Sequence, residues 1–189
     1  MKRRPLLAGL LLAGCAGPGL TVPEPVRLPR DSVEGAGDPT RAAVSRSAFA
    51  FGTQAGLRAR PGAAARAIAD MEYLASALPV DPNFQQRDPL LAGRFVQARA
   101  EWRQALGIPA EVPAQAVIDS FYAVWRATNA RDATAAAAAI PPAVMPPGGQ
   151  AALVRLAQLP PLPQTALAAS AASRVMFEGN QPHLGQRRL

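Results

Sequence analysis

Few side chains in this chain can do acid–base, nucleophilic or metal chemistry, and their spacing limits what they can do together. The one histidine, His183, follows Pro182 close to the C-terminus. With no cysteine near it, it cannot complete an ordinary four-ligand zinc site, and no Gly-x-Ser-x-Gly turn offers it a nucleophile. His183 therefore reads as a solvated tail residue and not as a general base. Asp70 and Glu72 stand two residues apart, about 200° around a helix, so they do not converge. Glu101 and Asp119 would face each other if their two helices packed antiparallel, and a facing pair could act as acid and base, as in glycosidases. The competing reading gives each carboxylate an ion pair with Arg94, Arg99, Arg103 or Arg126, and it is preferred because structural ion pairs outnumber catalytic ones.

Arg94, Phe95, Arg99, Glu101, Trp102 and Arg103 form the densest polar-aromatic stretch. Arginine and tryptophan make strong interface anchors, so Arg94, Arg99, Trp102 and Arg103, with Trp125, are the candidate ligand- or partner-binding residues. The plainer alternative places Phe95 and Trp102 in the core and leaves the arginines solvated, because the aromatics fall on the helix's apolar stripe. Gly35-Ala36-Gly37 and Gly148-Gly149 lack the strand-to-helix setting and following Lys-Ser/Thr of a phosphate loop. No cofactor or metal motif emerges.

The elements that must position these residues read as helices. Asp38-Pro39 is an N-cap followed by proline at the first helical position, and Phe49, Phe51 and Leu57 are the large apolar residues that follow. After Arg60-Pro61, a second helix carries Ile68, Met71, Ala75 and Leu78 on one stripe, with Arg66 and Asp70 paired on its outer face. Residues 79–87 read as a loop. A third helix runs from Asp88-Pro89 to Gly107 with the stripe Leu91, Phe95, Ala98, Trp102 and Ala105. A fourth starts near Pro113 and presents Ile118, Phe121, Trp125 and Thr128, which puts the two tryptophans in or beside one core. The alanine run at 133–139 is helical only if it packs. Short helices over 151–159 and 164–178 complete the chain, the last turning Leu167, Ala171 and Val175 inward.

The N-terminus carries the most specific signal. Lys2, Arg3 and Arg4 precede the apolar run Leu6–Ala13, which is about half a membrane span and broken by Gly9. The ending Leu12-Ala13-Gly14-Cys15 resembles the lipobox of bacterial lipoproteins. The resemblance implies cleavage before Cys15, the only cysteine, and acylation of its sulfur, so that the mature protein is held at a membrane by several chains. Ala16, where aspartate would favour inner-membrane retention, implies the periplasmic face of the outer membrane. Arg3-Arg4 also invites twin-arginine export; the ordinary secretory route is the better match.

Composition closes several classes. Without Lys2, Arg3 and Arg4 the chain keeps 17 basic residues against 13 acidic ones, a surplus of +4. These charges are scattered and not interleaved with aromatics, so nucleic acid is excluded as a partner. Residues 1–14 then read as signal peptide and 15–37 as lipidated cysteine plus a Pro/Gly-rich tether, reaching on the order of 70 Å if wholly extended. Residues 38–180 read as one helical domain, Pro-broken from 130, and 181–189 as a flexible tail. The expected fold is all-α, an irregular bundle of about five to seven helices. The expected role is a non-enzymatic scaffold or protein-binding one with an envelope partner, the alternative being a carrier or sensor holding an apolar or anionic ligand between helices. An envelope hydrolase using Glu101 and Asp119 ranks third.

Overall fold

A computed structural model describes residues 25–33 and 35–178. They form an all-helical domain with one continuous core. In chain order the α-helices are α1 (Pro39–Thr53), α2 (Pro61–Ala77), α3 (Pro82–Arg87), α4 (Leu91–Leu106), α5 (Ala114–Asn129), α6 (Ala133–Ala138), α7 (Gly149–Ala157) and α8 (Pro163–Glu178). Six of them are nine residues or longer; α3 and α6 have six residues each.

Local chemistry explains the boundaries. Asp38 and Asp81 each accept the backbone N–H two residues on, at 2.8 Å, with proline at the next position, so both open their helices as capped N-termini. Asp132 caps α6 through the Ala135 N–H. Gly107 ends α4 in the left-handed region at φ 67°, which lets the Ile108 N–H reach back to the Arg103 carbonyl at 2.8 Å.

α2 lies at the centre, packed by α1, α4, α5 and α7, while α8 closes over α1 and α4. Its small residues make this possible: Ala64, Ala65, Ala67 and Ala69 are buried, and Gly62 sits so close to Thr128 of α5 that a Cβ there would collide with the threonine side chain. Close approach substitutes for large aromatic area, and Ile68, Met71, Leu74, Trp102, Phe121 and Tyr122 supply the bulk. The alanine run meets the condition for being helical, with Ala136 buried as α6 bridges α5 and α7.

Three expectations about the elements need correction. Residues 79–87 are not a loop, because the Asp81-Pro82 cap starts α3. α4 begins at Leu91, two residues after Pro89, since the Asp88 carboxylate first forms a turn by accepting the Leu90 N–H. Leu167 is exposed; α8, packed on α1 and α4, turns Ala168, Ala169, Ala171 and Ala172 to the core, so small residues and not leucine face its neighbours. Phe49 is 88% exposed while Phe51, on the opposite face of α1, is buried.

Residues 25–33, read from sequence as spacer, lie against the domain. The Arg27 backbone exchanges two hydrogen bonds with the Gln115 side chain, and Asp31 pairs with Arg126 through two bonds of 2.6 Å. Cys15, the signal residues, residues 16–24 and 34 of the tether and His183 fall outside the described residues.

Candidate functional site

The two carboxylates of α2 diverge as their spacing requires, and both are fully buried. Glu72 faces α4. Its Oε1 accepts from Trp102 Nε1 at 2.8 Å and from Arg103 Nε at 2.7 Å, and its Oε2 accepts from Arg103 Nη2 at 3.1 Å and pairs with Arg99 Nη2 at 3.0 Å. Arg103 Nη1 donates onward to the carbonyls of Pro109, Ala110 and Val112, which fastens the α4–α5 connection. Apart from Arg99 Nε, which is buried without a partner, the groups named in this cluster bind one another or the α4–α5 connection.

Asp70 faces α1 and α5. Arg46 grips it bidentately, Nε to Oδ2 at 2.8 Å and Nη2 to Oδ1 at 2.9 Å, and the Tyr122 hydroxyl donates to Oδ1 at 2.6 Å. Burial pushes the Asp70 carboxyl above the ordinary aspartate value, against the pull of Arg46 and Tyr122. Burial, with the charge of Asp70, also drives the Tyr122 phenol well above its usual range. The expected Arg66–Asp70 pair on an outer face is therefore corrected. Asp70 points inward because the small residues around it bring α1 and α5 close, and its ion-pair partner is Arg46.

Arg66 is placed differently. Its guanidinium lies over the Trp125 ring, 4.1 Å from the centroid, and its Nη2 donates to the Ser32 carbonyl at 3.1 Å. Arg46 Nη1 donates to the same carbonyl at 2.9 Å, so the docked segment 25–33 helps aim both arginines. Beside them a cleft of about 320 Å³ opens between α1, the turn at Ala55–Leu57, α2 and α5. Arg46, Arg60, Arg66 and Asp70 are its charged lining; Phe49, Leu57, Ala63 and Trp125 are among its apolar walls. A mostly apolar cleft with a few convergent charges is the usual form of a small-molecule site.

The residues singled out from sequence do not assemble there. Trp102 is fully buried, Arg103 nearly so, and both are spent on Glu72, as is Arg99. Arg94 pairs with Asp88. Trp125 alone reaches the cleft, packed edge-on against Tyr122 at 5.9 Å. Glu101 and Asp119 do not converge, because α4 and α5 each pack on α2 instead of on one another. Glu101 instead caps α8: Oε1 accepts the Gln164 N–H at 3.1 Å and Oε2 accepts the Thr165 N–H at 2.8 Å and hydroxyl at 2.7 Å. Asp119 is exposed and accepts from Gln115.

Arg46, Phe49, Arg60 and Arg66 are cleft residues that sequence reasoning did not assign to a site. Arg60 was visible only as the residue before a helix-starting proline, and Phe49 and Arg46 only as positions on α1. Their common signal is weak: charged and aromatic residues beside the small positions Ala50, Gly56 and Ala63, where a void can open. Among the described residues no group of three or more His, Cys, Asp or Glu is placed to hold a metal, and no helix is long and apolar enough to cross a membrane. No protein-family model, curated protein or solved structure matches this chain.

Proposed function

We propose that this protein is a lipid-anchored component of a bacterial envelope, processed at Cys15, whose helical domain works by binding and not by catalysis. The anchor is carried by the lipobox-like Leu12-Ala13-Gly14-Cys15 behind a basic and apolar leader. Of the two binding roles, scaffold for an envelope protein or carrier and sensor for a small ligand, the cleft at Trp125 supports the second. It is a concave, largely apolar space with arginines at its wall, and the fold's own polar groups leave it open. Outer-membrane attachment on the periplasmic side fits Ala16.

Two measurements test this. Mass spectrometry of membrane-extracted protein should find a chain beginning at an acylated Cys15, and Cys15→Ser should release the protein from membranes; a soluble, unacylated wild-type protein rejects the anchor. Titration with envelope lipid extract should change Trp125 emission saturably, whereas a flat response that Trp125→Phe does not alter removes the carrier role and returns the scaffold role to first place.

A further inference from the structure

We propose that the cleft takes a single-chain anionic amphiphile, its carboxylate or phosphate head held by Arg60 and Arg66 and its apolar body lying on Phe49, Leu57 and Ala63. This rests on the carrier reading above and names its ligand class. The charge balance is the first argument. Three guanidiniums line the cleft against one carboxylate, and that carboxylate is already matched by Arg46. Among the described residues no carboxylate lies within ion-pair distance of Arg60 or Arg66, so the cleft lining carries a surplus of positive charge.

Arg66 supplies the second argument. Its plane is fixed by Trp125 and Ser32, and its Nη1 has no hydrogen-bond partner among the described residues and, unlike its Nε, is not sealed from solvent. An oriented guanidinium with an accessible donor to spare is shaped for a carboxylate or phosphate. Apolar area supplies the third. Phe49 is the most exposed large hydrophobic residue among those described, and it stands on the rim of this cleft, not on a remote surface. A ligand that neutralised the arginines and covered Phe49 would answer both features at once. At about 320 Å³ the space is at the small end of ligand pockets, suited to one short acyl chain and too small to enclose a two-chain lipid.

The test uses the full chain carrying Cys15→Ser, so that its own acyl groups cannot compete, with calorimetry run beside Trp125 fluorescence. Monomeric decanoate and decyl phosphate should bind saturably, with decanol about tenfold weaker because it lacks the charge. Arg60→Ala, which alters a side chain with no hydrogen-bond or ion-pair partner among the described residues, should weaken decanoate about fivefold, while Arg87→Ala outside the cleft should not. Equal affinity for decanol and decanoate, or no effect of Arg60→Ala, overturns the anionic head. A response to phosphatidylglycerol vesicles but not to monomeric decanoate replaces the single-chain ligand with a membrane surface. If these probes fail while envelope extract still binds, the ligand class is wrong and the carrier reading stands; if both fail, both fall.

Discussion

The two faces of α2 solve the same problem differently. Each buries a carboxylate against arginine and an aromatic donor: Glu72 with Arg103 and Trp102, Asp70 with Arg46 and Tyr122. On the Glu72 face the arginine is itself sealed, at 7% side-chain exposure, and its remaining donors go to three loop carbonyls. On the Asp70 face the arginine is 25% exposed and borders a cleft that holds two further arginines. The lesson is that a buried ion pair does not by itself mark a site. The Glu72 face spends both of its arginines, Arg99 and Arg103, on the one carboxylate, whereas on the Asp70 face Arg60 and Arg66 line an open cleft with no carboxylate in ion-pair distance among the described residues.

The contrast breaks most readily at Glu72. Glu72→Ala strands Arg103 and the Trp102 N–H in a dry interior, and the expected loss is about 3–5 kcal/mol, read as a fall in the urea midpoint of the full chain. A loss under about 1 kcal/mol would mean that water enters this face, and the two faces would then be alike.

Arg46→Met is the matching cut on the other face, with an expected loss of about 2 kcal/mol because cleft water can reach the stranded carboxylate. Its signature is pH dependence. Burial already holds Asp70 above the ordinary aspartate value, and losing Arg46 removes an opposing pull. The folded state then binds the proton more tightly than the unfolded chain does, so the variant's stability should decline as pH rises from about 4. Adding Asp70→Asn should flatten that decline; if it persists, another group titrates.

Much of the scaffold was legible because it rests on local chemistry. Asp38-Pro39, Arg60-Pro61 and Gly107 mark helix ends through caps, fixed φ and a left-handed residue, and the stripes of α2, α4 and α5 follow the helical period. The divergence of Asp70 and Glu72 also followed from spacing. The cleft was not legible, since it is an empty space bounded by α1, α2 and α5, and nothing in the local sequence tells which helices will be neighbours. Placing α4 against α5 led to the Glu101–Asp119 pair; α2, with its small residues, stands between them instead. The Arg-rich stretch on α4 misled for a related reason. Arg99 and Arg103 fall on the turns that meet Glu72, a partner that no spacing along the sequence links to them.

Glu101→Ala sharpens the comparison from the sealed side. The residue satisfies two N–H groups and a hydroxyl at the start of α8, and its loss should cost about 1 kcal/mol. Because this cap belongs to the α4 face, decanoate affinity should stay unchanged. A weakened affinity would show that the two faces communicate through α8 and α1.

The smallest expected effect on stability comes from Asp31, and it separates global stability from site geometry. The Asp31–Arg126 pair is about half exposed on both sides, so water screens it and its worth to the fold is a few tenths of a kcal/mol. The hydrogen bond from Arg126 holds the Asp31 carboxyl below the ordinary aspartate value. That contribution is complete above about pH 4 and fades as pH falls through the lowered folded value. Yet the pair pins the segment whose Ser32 carbonyl orients both Arg46 and Arg66. Asp31→Asn should therefore barely move the urea midpoint while speeding hydrogen exchange over 25–33 and weakening decanoate binding. If exchange quickens and affinity holds, the arginines keep their aim without Ser32, and Trp125 alone fixes the plane of Arg66.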